Sequence, residues 1–270
     1  MLADFDLIAF VDADMYVDLD FLAAINERFV DPQTQAVQGR YTVSNPAASP
    51  LAAMGYMSFA YVNHVRPSGR SALGGTAELK GSGMAFRREL ICALGWPAAS
   101  IAEDIDFGKD LLFRGVRVLY ASNAIVTSDI PTTLRQVEVQ QSRWEGGKFH
   151  VFRKFFARTV RAFVQRPSIA MGDALMDLLV PPLSVILSFA VIGFLGSLLI
   201  AGPPPLGFAV PIAAFAIAVM TGLIQLRAPP KVFVYIGLAP VFIAWKLCLL
   251  VRTALAPAQT EWKRTPRDAE

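Results

Sequence analysis

Leu7-Ile8-Ala9-Phe10-Val11-Asp12-Ala13-Asp14 decides the reading of this chain. Five apolar residues in unbroken succession are the pattern of a strand buried on both faces, as in a parallel sheet. Two carboxylates follow at the carboxyl end of that strand, the edge where open α/β sheets take their ligands. In extended backbone, residues i and i+2 point the same way, so Asp12 and Asp14 can face one ligand. Two carboxylates held together repel unless a cation joins them. Mg²⁺ or Mn²⁺ fits such a pair, taking one or two carboxylates and completing its shell with phosphate oxygens and water. A metal–diphosphate site is one reading of the pair; two turn or capping aspartates are the other.

Outward from that stretch the pattern alternates. Asp18 is placed to cap a helix running to about Val30, with Phe21, Leu22, Ile25 and Phe29 on one face. Gln35 to Val43 reads as a strand, and a helix comes after Pro50 and runs through about Val65. Arg66-Pro67-Ser68-Gly69-Arg70 and Gly74-Gly75 read as flexible, and Leu79 to Phe86 as a strand broken by Gly81 and Gly83. Glu103-Asp104 opens a helix that Gly115 stops, Val116–Tyr120 and Ala124–Thr127 read as strands, and a long helix runs from about Thr133 past Trp144. Strands alternating with helices imply an α/β sheet. A strand buried at a sheet centre needs neighbours on both sides, so the chain is expected to enter its domain part-way through.

The second half is a different material. The 270 residues are 54% hydrophobic and 17% charged, against about 25% charged in ordinary soluble domains. Residues 1–150 carry 17 acids and 13 bases, and residues 151–270 carry 5 acids and 12 bases. From Leu178 to Leu226 no charge occurs, and Ala201-Gly202-Pro203-Pro204-Pro205 divides this stretch into runs at 178–200 and 206–226. Each is long enough to cross a bilayer, which takes about 20 apolar residues. A third apolar segment, 232–251, is interrupted by Lys246 and reads as interfacial or re-entrant. Lys148, Arg153, Lys154, Arg158, Arg161 and Arg166 precede the first span. Arg227 and Lys231 lie between the second span and the third segment, and Arg252, Lys263, Arg264 and Arg267 lie beyond it. By the positive-inside rule these bases are cytoplasmic, which makes a multi-pass protein of the cell membrane. Within 148–174, Val151, Phe152, Phe155, Phe156, Val160 and Phe163 interleave with the bases. That is the pattern of a helix lying on anionic membrane lipids, although a core helix with a solvated basic face has the same pattern. The bases flank apolar runs and do not cluster on a polar domain, which argues against a nucleic-acid partner. Cys92 and Cys248 do not indicate a disulfide framework.

Three further groups carry chemistry. Glu103-Asp104 stands at a helix start, as a capping pair or as a general base for an acceptor hydroxyl. Gln140, Arg143 and Trp144 are spaced i, i+3 and i+4, one helix face. Arg143 can hold a diphosphate and Trp144 can stack on a sugar, or the two are a surface Arg and a buried Trp. Gly81-Ser82-Gly83 lets backbone approach a ligand closely, or makes a bulge. His64 and His150 lack ligand spacing and read as structural.

In this order the motifs resemble the family 2 glycosyltransferases of the cellulose synthase, hyaluronan synthase and poly-N-acetylglucosamine synthase kind. The residues that carry the resemblance are Asp12-Ala13-Asp14, Lys80-Gly81-Ser82-Gly83-Met84-Ala85-Phe86, Ala102-Glu103-Asp104, Gln140-Gln141-Ser142-Arg143-Trp144 and the apolar spans after 175. The resemblance covers essentially the whole chain. It implies a partial GT-A-type mixed α/β sheet over 1–147, a basic interfacial helix over 148–174 and a membrane region over 175–270. It implies an inverting displacement on a UDP-sugar, with a glycan or lipid-linked acceptor and Mg²⁺ or Mn²⁺. Asp12 would position the diphosphate, Asp14 would bind the metal with Asp12, and Asp104 would be the base. Glu103, Gln140, Arg143, Trp144, Gly81 and Ser82 would contact substrate. The family's domain opens with a strand–helix unit that grips the nucleoside, and that unit is absent here. The alternative expectation is therefore an inactive fragment or membrane scaffold.

Overall fold

The structure, a computed structural model, describes residues 5–96, 102–179, 183–199 and 206–255. The expected hairpin tip at 201–205 and the basic tail with Lys263, Arg264 and Arg267 lie outside the described residues.

A five-stranded mixed sheet organises the first half. Its strands are β1 (Leu7–Phe10), β2 (Tyr16–Val17), β3 (Ala36–Val43), β4 (Met84–Arg87) and β5 (Val118–Ser128), in the order β1-β4-β3-β5-β2. Only β3 and β5 run parallel; β1 pairs antiparallel with β4, β4 with β3, and β2 with β5. The expectation of a buried parallel strand at residues 7–11 is corrected here. β1 is an edge strand, antiparallel and half-buried. Its unbroken apolar run has another cause, because side chains of both parities meet helices. Leu7 packs with α1 (Phe21–Arg28) on one face, and Phe10 packs with α5 (Glu103–Phe113) on the other. The two short strands expected at 116–120 and 124–127 are one strand with a bulge. Gly39 of β3 pairs with Ala121 while Arg40 pairs with Ile125, so the residues between are looped out.

The face under α1 is filled by Phe21, Ile25, Phe29, Val37, Ala85 and Val126. The opposite face buries Leu79, Met84, Phe86, Phe107, Leu111 and Val118. Asp18 does not cap α1 directly; its Oδ1 accepts from Asp20 N–H just before the helix, and α1 ends at Arg28. After β3, α2 (Pro50–Ala60) starts at Ser49, whose Oγ accepts from Ala52 N–H at 3.0 Å. It continues through a π-helical turn, Tyr61–Val65, into α3 (Arg66–Ala72). Residues 66–70, expected to be flexible, are therefore helical. Ion pairs hold them: Arg66 with Asp177, and Arg70 with Asp173 at 3.0 Å and Asp177 at 3.2 Å. The expected strand at 79–86 shrinks to β4, because Gly81 and Gly83 bend the chain before it. α4 (Arg88–Leu94) comes directly after β4.

The basic segment is continuous with the helix before it. α6 (Leu134–Gln165) is one helix of 32 residues, so the boundary expected at 147 falls inside it. Val151 and Phe155 are buried against α5, Lys154 Nζ reaches Asp106 at 2.6 Å, and Arg158 reaches Asp110 at 2.9 Å. Part of the basic face thus ties α6 to α5 beneath the sheet half of the chain, while Arg153, Arg161 and Arg166 stay exposed. α7 (Ile169–Leu179) carries Asp173 and Asp177 back under α3.

Apolar helices follow among the described residues: α8 (Leu183–Leu199), α9 (Leu206–Gln225), α10 (Pro230–Val234), a 3₁₀ turn and α11 (Ala239–Leu255). Among the described residues, Leu206–Gln225 and Pro230–Arg252 are long and apolar enough to cross a membrane. Only 17% and 11% of these stretches are buried inside the protein, unlike the core helix of a soluble domain. Across α8, α9 and α11, Phe189, Ile192, Leu195, Phe208, Ile217 and Val241 are all exposed, apolar surface of the kind that meets a membrane or another protein. The third segment, read in sequence as interrupted by Lys246, gains length because its helical stretch begins at Pro230 and α11 passes Lys246 without a break.

Candidate active site

The Gly81–Gly83 loop is the floor of the site. Gly81 and Gly83 have φ of 80° and 70°, left-handed values that side chains resist. A Cβ on Gly81 would stand 3.5 Å from Asp104 Oδ2, so this glycine brings backbone against the carboxyl. Ser82 is 0% exposed, and its Oγ accepts from Asp12 N–H at 3.0 Å. The structure thus gives Ser82 a positioning contact where the sequence suggested a ligand contact. The loop is braced from below by Gln38, 2% exposed in β3. Its Nε2 donates to Gly39 O and Ser82 O at 2.9 Å each, and its Oε1 accepts from Lys80 N–H at 2.9 Å.

Electrostatics shows which charges share this space. Burial raises the Asp12 carboxyl above its ordinary value; Asp14 and Glu103 push it further, and Arg143 pulls it back. Residues from a strand end, a helix start and a helix face therefore converge. Burial also pushes Asp104 up to about 7; its own helix's Ile105 N–H, donating at 2.8 Å, and Lys80 oppose the rise, while Glu103 and Glu78 add to it. A carboxyl poised near neutrality suits proton exchange with a hydroxyl. Gln140 is half-buried one turn before Arg143 and Trp144, and no contact among the described residues joins it to the acids. Trp144 is half-buried, 6.0 Å from the Phe59 ring, and packs on the core formed by α2 and α9.

Tyr41 was missed in sequence. Its ring meets Phe59 edge-on at 5.0 Å, its OH pairs with Ser128 Oγ at 2.8 Å, and Asp12, Asp14 and Arg143 all act on it. Gln38 was missed too, although a lone amide in the strand Ala36-Val37-Gln38-Gly39 was a visible signal. Lys80, paired with Glu78, is a third.

Asp12 and Asp14 supply two carboxylates, and no cluster of three or more His, Cys, Asp or Glu forms a closed metal centre among the described residues. The donor set fits a hard cation that keeps positions open for phosphate oxygens and water.

The chain belongs to glycosyl transferase family group 2, whose family model matches residues 7–248. It is similar to glucomannan 4-beta-mannosyltransferase 2 of Arabidopsis thaliana, 30% identical over 158 residues, covering 58% of this chain and 30% of that protein. It is also similar to glucomannan 4-beta-mannosyltransferase 1 of Oryza sativa subsp. japonica, 28% identical over 158 residues, covering 58% of this chain and 30% of that one. The chain thus spans about three-tenths of the length of the curated relatives it matches. Among solved structures it is similar to mannosyltransferase PcManGT from Pyrobaculum calidifontis in complex with GDP-Man and Mn2+. That likeness has a TM-score of 0.41 and 18% identity, over 94% of this chain and 63% of that one.

Proposed function

We propose that this chain carries the acid–base and leaving-group side of a membrane-anchored, inverting glycosyltransferase. The observation that carries the proposal is the convergence of Asp12, Asp14, Glu103 and Arg143, with Asp104 beside Glu103 titrating near 7 against the backbone of Gly81.

In this reading Asp104 accepts the proton of an acceptor hydroxyl. The oxygen attacks the anomeric carbon of the donor as the bond to the diphosphate breaks, which inverts the configuration. Arg143 offsets the charge that develops on the leaving diphosphate, and Trp144 and Gln140 border the acceptor sugar. Asp12 and Asp14 would hold Mg²⁺ or Mn²⁺, which when bound neutralises diphosphate charge. Tyr41 and Ser128 add hydroxyl groups beside that carboxylate pair.

The donor is a nucleoside-diphosphate sugar. The sequence resemblance implies a UDP-sugar, and the relatives named for mannosyl transfer make a nucleoside-diphosphate mannose the other candidate. The acceptor is a glycan or a lipid-linked sugar. The apolar helices and the exposed Arg153, Arg161 and Arg166 support a multi-pass protein with this site on the cytoplasmic face.

The test is release of nucleoside diphosphate from a panel of UDP-sugars and GDP-mannose by membranes carrying the full-length protein, with and without a chelator. Donor-selective, metal-dependent release is expected. No release from any donor, with added acceptor glycans, would favour an inactive scaffold.

A further inference from the structure

Among the described residues, Arg40 has no carboxylate partner within ion-pair distance. It stands in β3 just beyond the bulge, opposite Ile125, and is half-buried. Its Nε is enclosed and donates to nothing among the described residues. The acids that pair with α3 and the loop after it are committed to other bases. Asp177 takes Arg66, Arg70 and Lys109, Asp173 takes Arg70, and Glu78 takes Lys80.

The groups around Arg40 are polar and neutral. Asn63 Nδ2 donates to the adjacent Tyr41 O at 3.1 Å, and Tyr120 OH donates to Asn63 O at 2.8 Å. His64 Nδ1 lies 3.1 Å from the same Tyr120 OH. Burial lowers the His64 pKa, the Arg40 charge lowers it further, and a hydrogen bond to the side chain of Gln225 at the end of α9 works against both. The imidazole is therefore neutral at pH 7 and does not compete with Arg40 for an anion. Tyr56 of α2 also lies within reach of the Arg40 charge. An enclosed guanidinium N–H left without an acceptor is costly, and an anion that meets it recovers that cost. A planar fork of N–H donors suits phosphate oxygens best. The π-helical turn Tyr61–Val65, which carries Asn63 and His64, lies beside this part of β3, and Gly222 of α9 packs on the turn and the residue before it: a Cβ there would lie 3.0 Å from Val65 Cγ2 and from Ala60 O. The place is thus the junction of the sheet with the end of an apolar, span-length helix, where lipid headgroups would lie if α9 crosses a membrane.

We propose that Arg40 is the receptor for a phosphate-type anion at the junction of β3, the π-helical turn and α9. A lipid headgroup and a soluble phosphate share this chemistry. The site does not depend on the proposed transfer reaction, and its test does not read turnover.

Thermal unfolding of the full-length protein in a phosphate-free sugar detergent is followed against inorganic phosphate, with chloride at matched ionic strength. At about ten times its Kd, phosphate should raise Tm by roughly 3 °C. Arg40→Gln should lose this response and, without phosphate, melt no lower than the natural protein, because an enclosed donor without a partner has gone. Arg40→Lys keeps the charge and should keep part of the response. Phospholipid nanodiscs separate the sources: a headgroup in the site abolishes the response to added phosphate, and a soluble ligand leaves it intact. Absence of any phosphate-specific rise in the natural protein in detergent overturns the proposal. So does an undiminished rise in Arg40→Gln.

Discussion

Replacing Gln38 by Leu probes whether the site is built from below. The change keeps size and removes an amide that makes contacts to Gly39 O, Ser82 O and Lys80 N–H, each at 2.9 Å. Each hydrogen bond contributes about 1 kcal/mol net, and each buried group left unpaired costs about 1–3 kcal/mol. Gly39 N–H still reaches Gly83 O at 2.7 Å, so the strand itself survives. The loss should be about 2–4 kcal/mol, which lowers Tm by roughly 5–15 °C in a protein of this size. The glycine loop should also loosen, and with it the Ser82 hold on Asp12 and the Gly81 contact with Asp104. Sugar transfer should therefore fall by about tenfold or more even well below the new Tm, on the scale expected of small misplacements in active sites. Thermal unfolding in detergent and initial rates at low temperature measure the two effects. A Gln38→Leu protein within about 0.5 kcal/mol of the natural one and with unchanged kcat and KM would refute the brace.

The same contacts imply four other outcomes. Activity should rise with pH along a limb whose apparent pKa is near 7, as Asp104 loses its proton; a limb centred near the ordinary 3.8 would remove Asp104 from the role. Because that carboxyl titrates above its ordinary value of 3.8, its burial costs stability as pH rises from there to about 7, and no stability is lost below that window. The Asp104→Asn protein should accordingly be the more stable by about 1–2 kcal/mol at pH ~8, after allowance for its partial exposure, with the gap closing as pH falls toward ~4. Burial alone would raise Asp177, but Arg66, Lys109 and Arg70 hold it well below the usual carboxylate range, so Asp177→Ala should cost about 3–5 kcal/mol in denaturant titrations. Asp14→Asn should abolish the metal dependence of donor binding, measured by calorimetry with and without Mn²⁺.

Much of this was legible in sequence, and the failures have physical causes. The chemistry-bearing motifs survive as local patterns: Asp12 and Asp14 after an apolar run, Glu103-Asp104 at a helix start, and Arg143 with Trp144 on one helix face. Each depends only on neighbours within a few residues. Strand direction does not. Leu7 to Phe10 is apolar because helices cover both faces, and the parallel, central placement inferred from that pattern was not found. Arg66 to Arg70 reads as flexible because Pro67 and Gly69 break helices locally, yet Asp173 and Asp177, far along the chain, hold the segment helical. Gln38, Tyr41 and Arg40 sit in one strand, and their value depends on what packs over them. A strand pattern shows that they are polar among apolar neighbours, but not that one braces a loop and another lacks a carboxylate partner among the described residues.

The central claim is that Asp104 is the base of a transfer reaction at this site. It is tested most directly by Asp104→Asn in the full-length protein, with nucleoside diphosphate release and donor affinity measured on the same preparation. The account predicts a loss of turnover of at least about a hundredfold, as expected for a general base, with donor Kd within about twofold. Turnover equal to that of the natural protein would contradict it.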